Sequence, residues 1–304
     1  MYKNGEIILW DVATRQNIRS FAGGDETGGL GMMTGIAFTP DGKSLVSKVN
    51  GLTITLWDVA TGQSIDVVRD LAHGNGMALC PDGTMLAYGQ CAELDSGSRC
   101  SQYEIILWDA ATHQPASQPL RFDVAASAPL WLQFSPDSKT LAVMSSGTTG
   151  SGRVELFDVL TRRSTGLPMS GEVQCTSMAF SPDGNYMALG SIPGVIYIWD
   201  VNSRQVISQL VGEKGLVTGV LFTPDGKTLV SRVLIPGADP KEKIVLWDMD
   251  SLSTIGQPLT GLAGTGSDVG LISMAISLDG RVLASGTDDG VIILWNLMAL
   301  LHSR

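Results

Sequence analysis

One hexapeptide is written twice without change, Glu6-Ile7-Ile8-Leu9-Trp10-Asp11 and Glu104-Ile105-Ile106-Leu107-Trp108-Asp109. Five looser versions end at Trp57-Asp58, Phe157-Asp158, Trp199-Asp200, Trp247-Asp248 and Trp295-Asn296. Successive copies stand 42 to 51 residues apart. A period of that size marks a repeat architecture, in which each unit is one supersecondary block that buries its apolar face against the next.

The chemistry of the unit is that of strands. Runs such as Ile54-Thr55-Leu56 and Ile196-Tyr197-Ile198 are rich in β-branched and aliphatic residues, too short for a helix and bounded by turn residues. A second punctuation lies between copies: Thr39-Pro40-Asp41-Gly42, Cys80-Pro81-Asp82-Gly83, Ser135-Pro136-Asp137-Ser138, Ser181-Pro182-Asp183-Gly184, Thr223-Pro224-Asp225-Gly226 and Ser277-Leu278-Asp279-Gly280. Proline presets φ and Asp-Gly tolerates φ > 0, so each is a tight turn between two apolar strands. The unit is therefore read as strand A, the Pro-Asp-Gly turn, strand B, strand C ending in Trp-Asp, and an outer strand D.

Ser181-Pro182-Asp183-Gly184, then Met187-Ala188-Leu189-Gly190, then Ile198-Trp199-Asp200 resembles the WD-repeat β-propeller family. The resemblance implies an all-β fold of four-stranded antiparallel blades around a channel. It also implies a non-catalytic scaffold or sensor module that binds a protein partner. The wording of the turns (Thr14-Arg15-Gln16, Gln257-Pro258-Leu259) resembles bacterial members. One departure is systematic, because the Gly-His dipeptide that opens many family blades is missing and only His73 stands near its place.

Residues 1–304 are read as a single propeller domain: residues 1–22 an N-terminal half-blade of C and D strands, and residues 34–297 the repeats, with A strands entering near residues 34, 75, 130, 176 and 218. The final repeat supplies A, B and C. That sum fits neither six nor seven complete blades, so both stay open; in the six-blade alternative residues 16–21 complete the last blade and hide its open edge. The chain is read as a monomer or as part of a larger multidomain protein.

A net charge of −10 argues against a general nucleic-acid binder, which needs a basic face to displace counterions. No apolar run approaches the roughly 18 residues of a membrane span, and the first residues do not read as an export signal. Four cysteines in 304 residues do not make a disulfide framework, so a cytoplasmic protein without a membrane role is expected. Cys91 and Cys100, which bracket one inserted loop, are expected as free thiols.

The Trp-Asp positions (Trp10, Asp11, Trp57, Asp58, Trp108, Asp109, Phe157, Asp158, Trp199, Asp200, Trp247, Asp248, Trp295 and Asn296) are assigned to structure: the aromatic packs between blades and the acid closes a turn. Trp131 is different, because it stands where other repeats have Gly35, Gly76, Ser177, Gly219 and Ser273. It is expected either as an interface anchor near the channel mouth or as a plug within the channel. Lys48 and Arg232 are aligned with Gln90, Ser145, Ser191 and Gly286 just after strand B. They read either as a cationic rim for an acidic partner or as solvated surface charge. Length variation falls on the B–C and D–A connections, so partner binding is placed on that face. No nucleophile elbow, phosphate loop or metal-ligand motif is present, so no catalytic residue, metal or cofactor is assigned. The alternative function is a small-ligand sensor or propeller enzyme using the channel mouth.

Overall fold

A computed structural model describes residues 6–21, 33–49, 53–69, 76–94, 100–112, 114–116, 118–122, 130–146, 152–165, 175–238, 242–260, 273–286 and 291–302. The fold class is an all-β propeller of antiparallel blade sheets. The chain divides into two compact units, Met1–Thr149 with Val154–Leu167, and Gly150–Arg153 with Pro168–Arg304.

The first unit opens on a two-stranded hairpin, β1 (Ile7–Asp11) and β2 (Gln16–Phe21). The next sheet runs β3 (Met33–Phe38), β4 (Ser44–Val49), β5 (Thr53–Asp58) and β6 (Ser64–Arg69) in chain order. The following sheet has β7 (Met77–Leu79), β8 (Met85–Leu94) and β9 (Cys100–Asp109), with its outer strand split into β10 (Gln114–Pro115) and β11 (Leu120–Phe122). Then come β12 (Leu130–Phe134), β13 (Thr140–Ser146) and β14 (Gly152–Asp158), where a single Phe157–Ser164 bridge stands at the outer-strand position.

The second unit holds two four-stranded sheets, β15 (Cys175–Phe180) to β18 (Gln205–Val211) through β16 (Tyr186–Ser191) and β17 (Val195–Asp200), and β19 (Leu216–Phe222) to β22 (Ser253–Leu259) through β20 (Thr228–Leu234) and β21 (Glu242–Asp248). Its last sheet is β23 (Met274–Ile276), β24 (Val282–Gly286) and β25 (Ile292–Asn296), followed by the short helix α1 (Leu297–His302).

Each Pro-Asp-Gly turn is held by one repeated relay. The Ser or Thr hydroxyl that opens it donates to the Asp carboxylate, as Thr39 does to Asp41 at 2.7 Å and Thr223 to Asp225 at 2.6 Å. The same hydroxyl oxygen accepts the amide five residues on, Ser44 from Thr39 and Tyr186 from Ser181, at 3.0 and 2.9 Å. Cys80 takes this role with sulfur, its thiol donating to Asp82 and accepting the Met85 amide. The hydroxyl beside Asp183 and that beside Asp225 hold both carboxyls below the usual carboxylate range.

The core lies between successive sheets. Ala87, Ile105, Leu107, Leu141 and Val143 form one layer in the first unit, and Ala188, Ile196, Val217, Leu229 and Trp247 another in the second. Each such side chain contributes about 1.5–3 kcal/mol of burial, except the alanines.

One expectation is corrected. The Gln90–Tyr103 segment, read as a loop, is largely an extension of the β8–β9 hairpin, because pairing continues through Cys91–Tyr103 and Leu94–Cys100 with two register shifts. Strand β2, which one of the two open alternatives placed in the last blade, pairs with β1, from Ile7–Phe21 to Asp11–Gln16.

Candidate functional site

The repeated aromatics are positioned by a code that the sequence reading did not isolate. Where strand C carries Trp57, Trp247 or Trp295, the indole N–H donates to Ser47, Ser231 or Ser285 at 2.8, 2.8 and 3.0 Å. In each case the serine lies two residues beyond the strand B residue paired with that tryptophan. The corresponding residue in the β16–β17 pair is Leu189, and Trp199 Nε1 has no hydrogen-bond partner among the described residues. In the β13–β14 sheet the aromatic is Phe157, which has no donor to satisfy. Trp57, Phe157, Trp199 and Trp247 are buried, whereas Trp10 is 45% exposed. The acids close turns: Asp11, Asp58, Asp158 and Asp200 each accept the amide three residues on, at 2.6 Å. Asn296 accepts the Ala299 amide at the start of α1.

Strand register also changes the alignment around Lys48 and Arg232. Pairing places Lys48 opposite Gly35 and Arg232 opposite Gly219, and the same step in the other sheets falls on Gly89, Met144, Gly190 and Gly286. Three of the residues aligned with them from sequence, Gln90, Ser145 and Ser191, lie one step further on. Neither cation is a solvated surface charge, for Lys48 is 0% and Arg232 4% exposed. Lys48 lies 5.4 Å from the centre of the Tyr88 ring and donates through Nζ to the Gly89 carbonyl at 3.1 Å, joining strand B of one sheet to strand B of the next. Arg232 forms an ion pair with Glu242 of β21. Each cation stands opposite a glycine, and the space that a side chain at Gly35 or Gly219 would need is closed first by Met77 and Met274 of the neighbouring sheets.

Trp131 is 39% exposed and sits opposite Met144, which is fully buried. Trp131 is a large residue at a step where its counterparts are glycine or serine. The structure thus separates the three residues: one presents aromatic surface, and two are enclosed within their units. Most of the long connections expected to carry recognition, residues 22–32, 147–151 and 261–270 among them, lie outside the described residues, as do His73 and His113. Met33 and Gly152 at their margins belong to strands.

Cys91 is disulfide-bonded, which corrects the expectation of a free thiol there. The β8–β9 pairing holds Cys91 opposite Tyr103 inside a hairpin in place of the loose loop that the expectation assumed. The Cys100 side chain lies outside the described residues. Cys80 and Cys175 are free and buried, and burial pushes the Cys175 thiol up to about 11. Among the described residues no group of three or more His, Cys, Asp or Glu is arranged to hold a metal ion, and no helix is long and apolar enough to cross a membrane.

A family model described as Eukaryotic translation initiation factor eIF2A matches residues 81–253, more than half of the chain. The chain belongs to the eIF2A family. A second model, WD domain, G-beta repeat, matches residues 256–296 of this eIF2A-family chain, which contain β25 with Trp295 and Asn296. The chain is 24% identical to human Echinoderm microtubule-associated protein-like 2 over 347 aligned positions, covering 96% of this chain and 51% of that protein. It is 29% identical over 210 positions to the 77 kDa echinoderm microtubule-associated protein of Strongylocentrotus purpuratus, covering 63% of this chain and 29% of that protein. A rice relative, Pre-mRNA-processing factor 19, is 28% identical over 139 positions, with 43% and 24% coverage. The eIF2A-family chain spans about half the length, or less, of the curated relatives it matches. All three of these relatives are eukaryotic, so the bacterial character read from the turns finds no support among them.

Proposed function

We propose that this chain is a non-catalytic protein-interaction module in which the sheets form the frame and Trp131 contributes the aromatic anchor of the contact. The observation that supports this most is the exposure of Trp131 at a repeat position otherwise held by glycine or serine. An indole gives a large contact area for little conformational entropy, which is why tryptophan is enriched among interface hot spots. The partner is a protein, docking on the face of the B–C and D–A connections, and residues 1–304 act as one propeller domain. Lys48 and Arg232 take part each within its own unit, by fixing the strands that carry them.

The relatives' names refer to roles as different as microtubule association and pre-mRNA processing. That breadth fits a frame reused for different contacts better than one conserved ligand. Quantitative mass spectrometry of proteins retained by immobilised wild-type chain and by a folded Trp131→Ala variant tests this. A protein enriched by the wild type and lost by the variant is expected, with affinity weakened by about 2 kcal/mol or more when remeasured with purified components. Equal retention by both forms contradicts the assignment.

A further inference from the structure

A groove of about 790 Å³ opens in the second unit between the β15–β18 and β19–β22 sheets, at the end carrying the Pro-Asp-Gly turns. Its apolar lining includes Ile198, Phe222 and Met249.

Two lining residues are displayed by irregular backbone. Trp199 pairs with Val206 and Ile198 with Ser208, so Ile207 is the extra residue of a β-bulge and is 54% exposed. Bulges re-aim side chains in this way. Leu252 follows Asp248 by four residues, where Arg15, Gly62, Arg162 and Arg204 stand in other turns, and all share positive φ. A leucine at φ 55° is a strained choice of residue, yet it is 38% exposed and lines the groove. Strain of this kind collects at functional sites.

Charge distinguishes this groove from a smaller one of about 330 Å³ in the first unit, which repeats the pattern with Ile65 at its bulge but has Asp66 as its single charged lining residue. The larger groove has exposed Asp183, Asp225 and Asp250 against one cation, Lys227. The Asp183 and Asp225 carboxyls already accept hydroxyl hydrogen bonds inside their turns, which keeps them ionised.

We infer that the groove between β18 and the β19–β22 sheet binds a peptide segment of a partner protein that presents a bulky aliphatic side chain beside arginine or lysine. The aliphatic side chain covers Ile207 and Leu252, and the cation meets the carboxylates. This rests on the interaction reading above and assigns it a second surface with its own partner chemistry.

Fluorescein-labelled hexapeptides of alternating arginine and leucine, arginine and glycine, and glutamate and leucine, titrated by anisotropy against the whole chain, test the inference. The arginine–leucine peptide is expected to bind saturably, and both others at least tenfold more weakly. Asp250→Lys, Ile207→Thr and Leu252→Gly are each expected to weaken it at least fivefold, with Leu252→Gly keeping or raising the unfolding midpoint because glycine accepts positive φ. Absence of saturable binding, equal binding by all three folded variants, or equal binding of the arginine–glycine peptide overturns it. Trp131→Ala is expected to leave hexapeptide binding intact. Loss of hexapeptide binding with cellular capture preserved therefore defeats the groove alone, and the reverse defeats the Trp131 assignment alone.

Discussion

At the scale of single residues, the repeat is an arrangement of donors and acceptors. Ser231 accepts the Trp247 indole proton in a buried site, so Ser231→Ala leaves that donor unsatisfied and should cost about 1–3 kcal/mol in denaturant unfolding. Leu189→Ala, in the sheet where Trp199 Nε1 has no partner among the described residues, instead removes apolar volume and should cost about 2–5 kcal/mol with no change in indole hydrogen bonding. Indole N–H shifts in nuclear magnetic resonance distinguish the two losses. The turn aspartates make stability depend on pH. Hydroxyl and amide hydrogen bonds hold the Asp137, Asp183 and Asp225 carboxyls low, so the folded chain binds fewer protons than the unfolded one in acid. Their contribution is complete above the unfolded value of about 3.9 and is lost as pH falls through the lower folded values. Melting curves across this window should show a smaller acid loss for Asp183→Asn with Asp225→Asn than for wild type, from a lower starting stability. An unchanged acid dependence would contradict the relay.

At the scale of elements, the strands and tight turns were legible because period-two apolar runs and Pro-Asp-Gly signals are local. Register was not, and it is set by which side chains meet across a sheet. An alignment one residue out turned two enclosed cations into surface charges, since only pairing shows that Lys48 faces Gly35 and Arg232 faces Gly219. The Arg232–Glu242 pair gives the sharpest test. Glu242→Leu alone leaves a buried guanidinium without its carboxylate and should destabilise by about 3–5 kcal/mol, whereas Arg232→Met with Glu242→Leu should recover most of that loss. A double variant no better than the single one would count against an enclosed pair. The β8–β9 hairpin supplies a second test. Peptide mapping after rapid alkylation without reductant should find Cys91 in a disulfide, and Cys80 and Cys175 labelled only after unfolding. An alkylated Cys91 would contradict the disulfide and agree with the expectation of a free thiol there.

At the scale of the whole molecule, the seven aromatic punctuation marks carried the fold class, and the WD-domain match over residues 256–296 agrees with it. Function was less legible, because a frame fixes where side chains stand and says little about what meets them. Trp131 was visible as an exception to a repeat position, a signal that survives without coordinates. The groove at Ile207 and Leu252 was not, for it depends on a bulge and on a left-handed turn residue that no local pattern announces. If residues 1–304 act as one domain, calorimetry should give a single transition with equal calorimetric and van't Hoff enthalpies; two resolved transitions would mean two domains. The central claim is that the Trp131 surface meets a protein. Replacing Trp131 with the photo-crosslinker p-benzoylphenylalanine in source cells tests it most directly, with the same replacement at Leu160, which is 90% exposed, as the reference. The account predicts a discrete protein adduct from position 131 that position 160 does not form; matching adduct patterns at the two positions, or no protein adduct at 131, would contradict it.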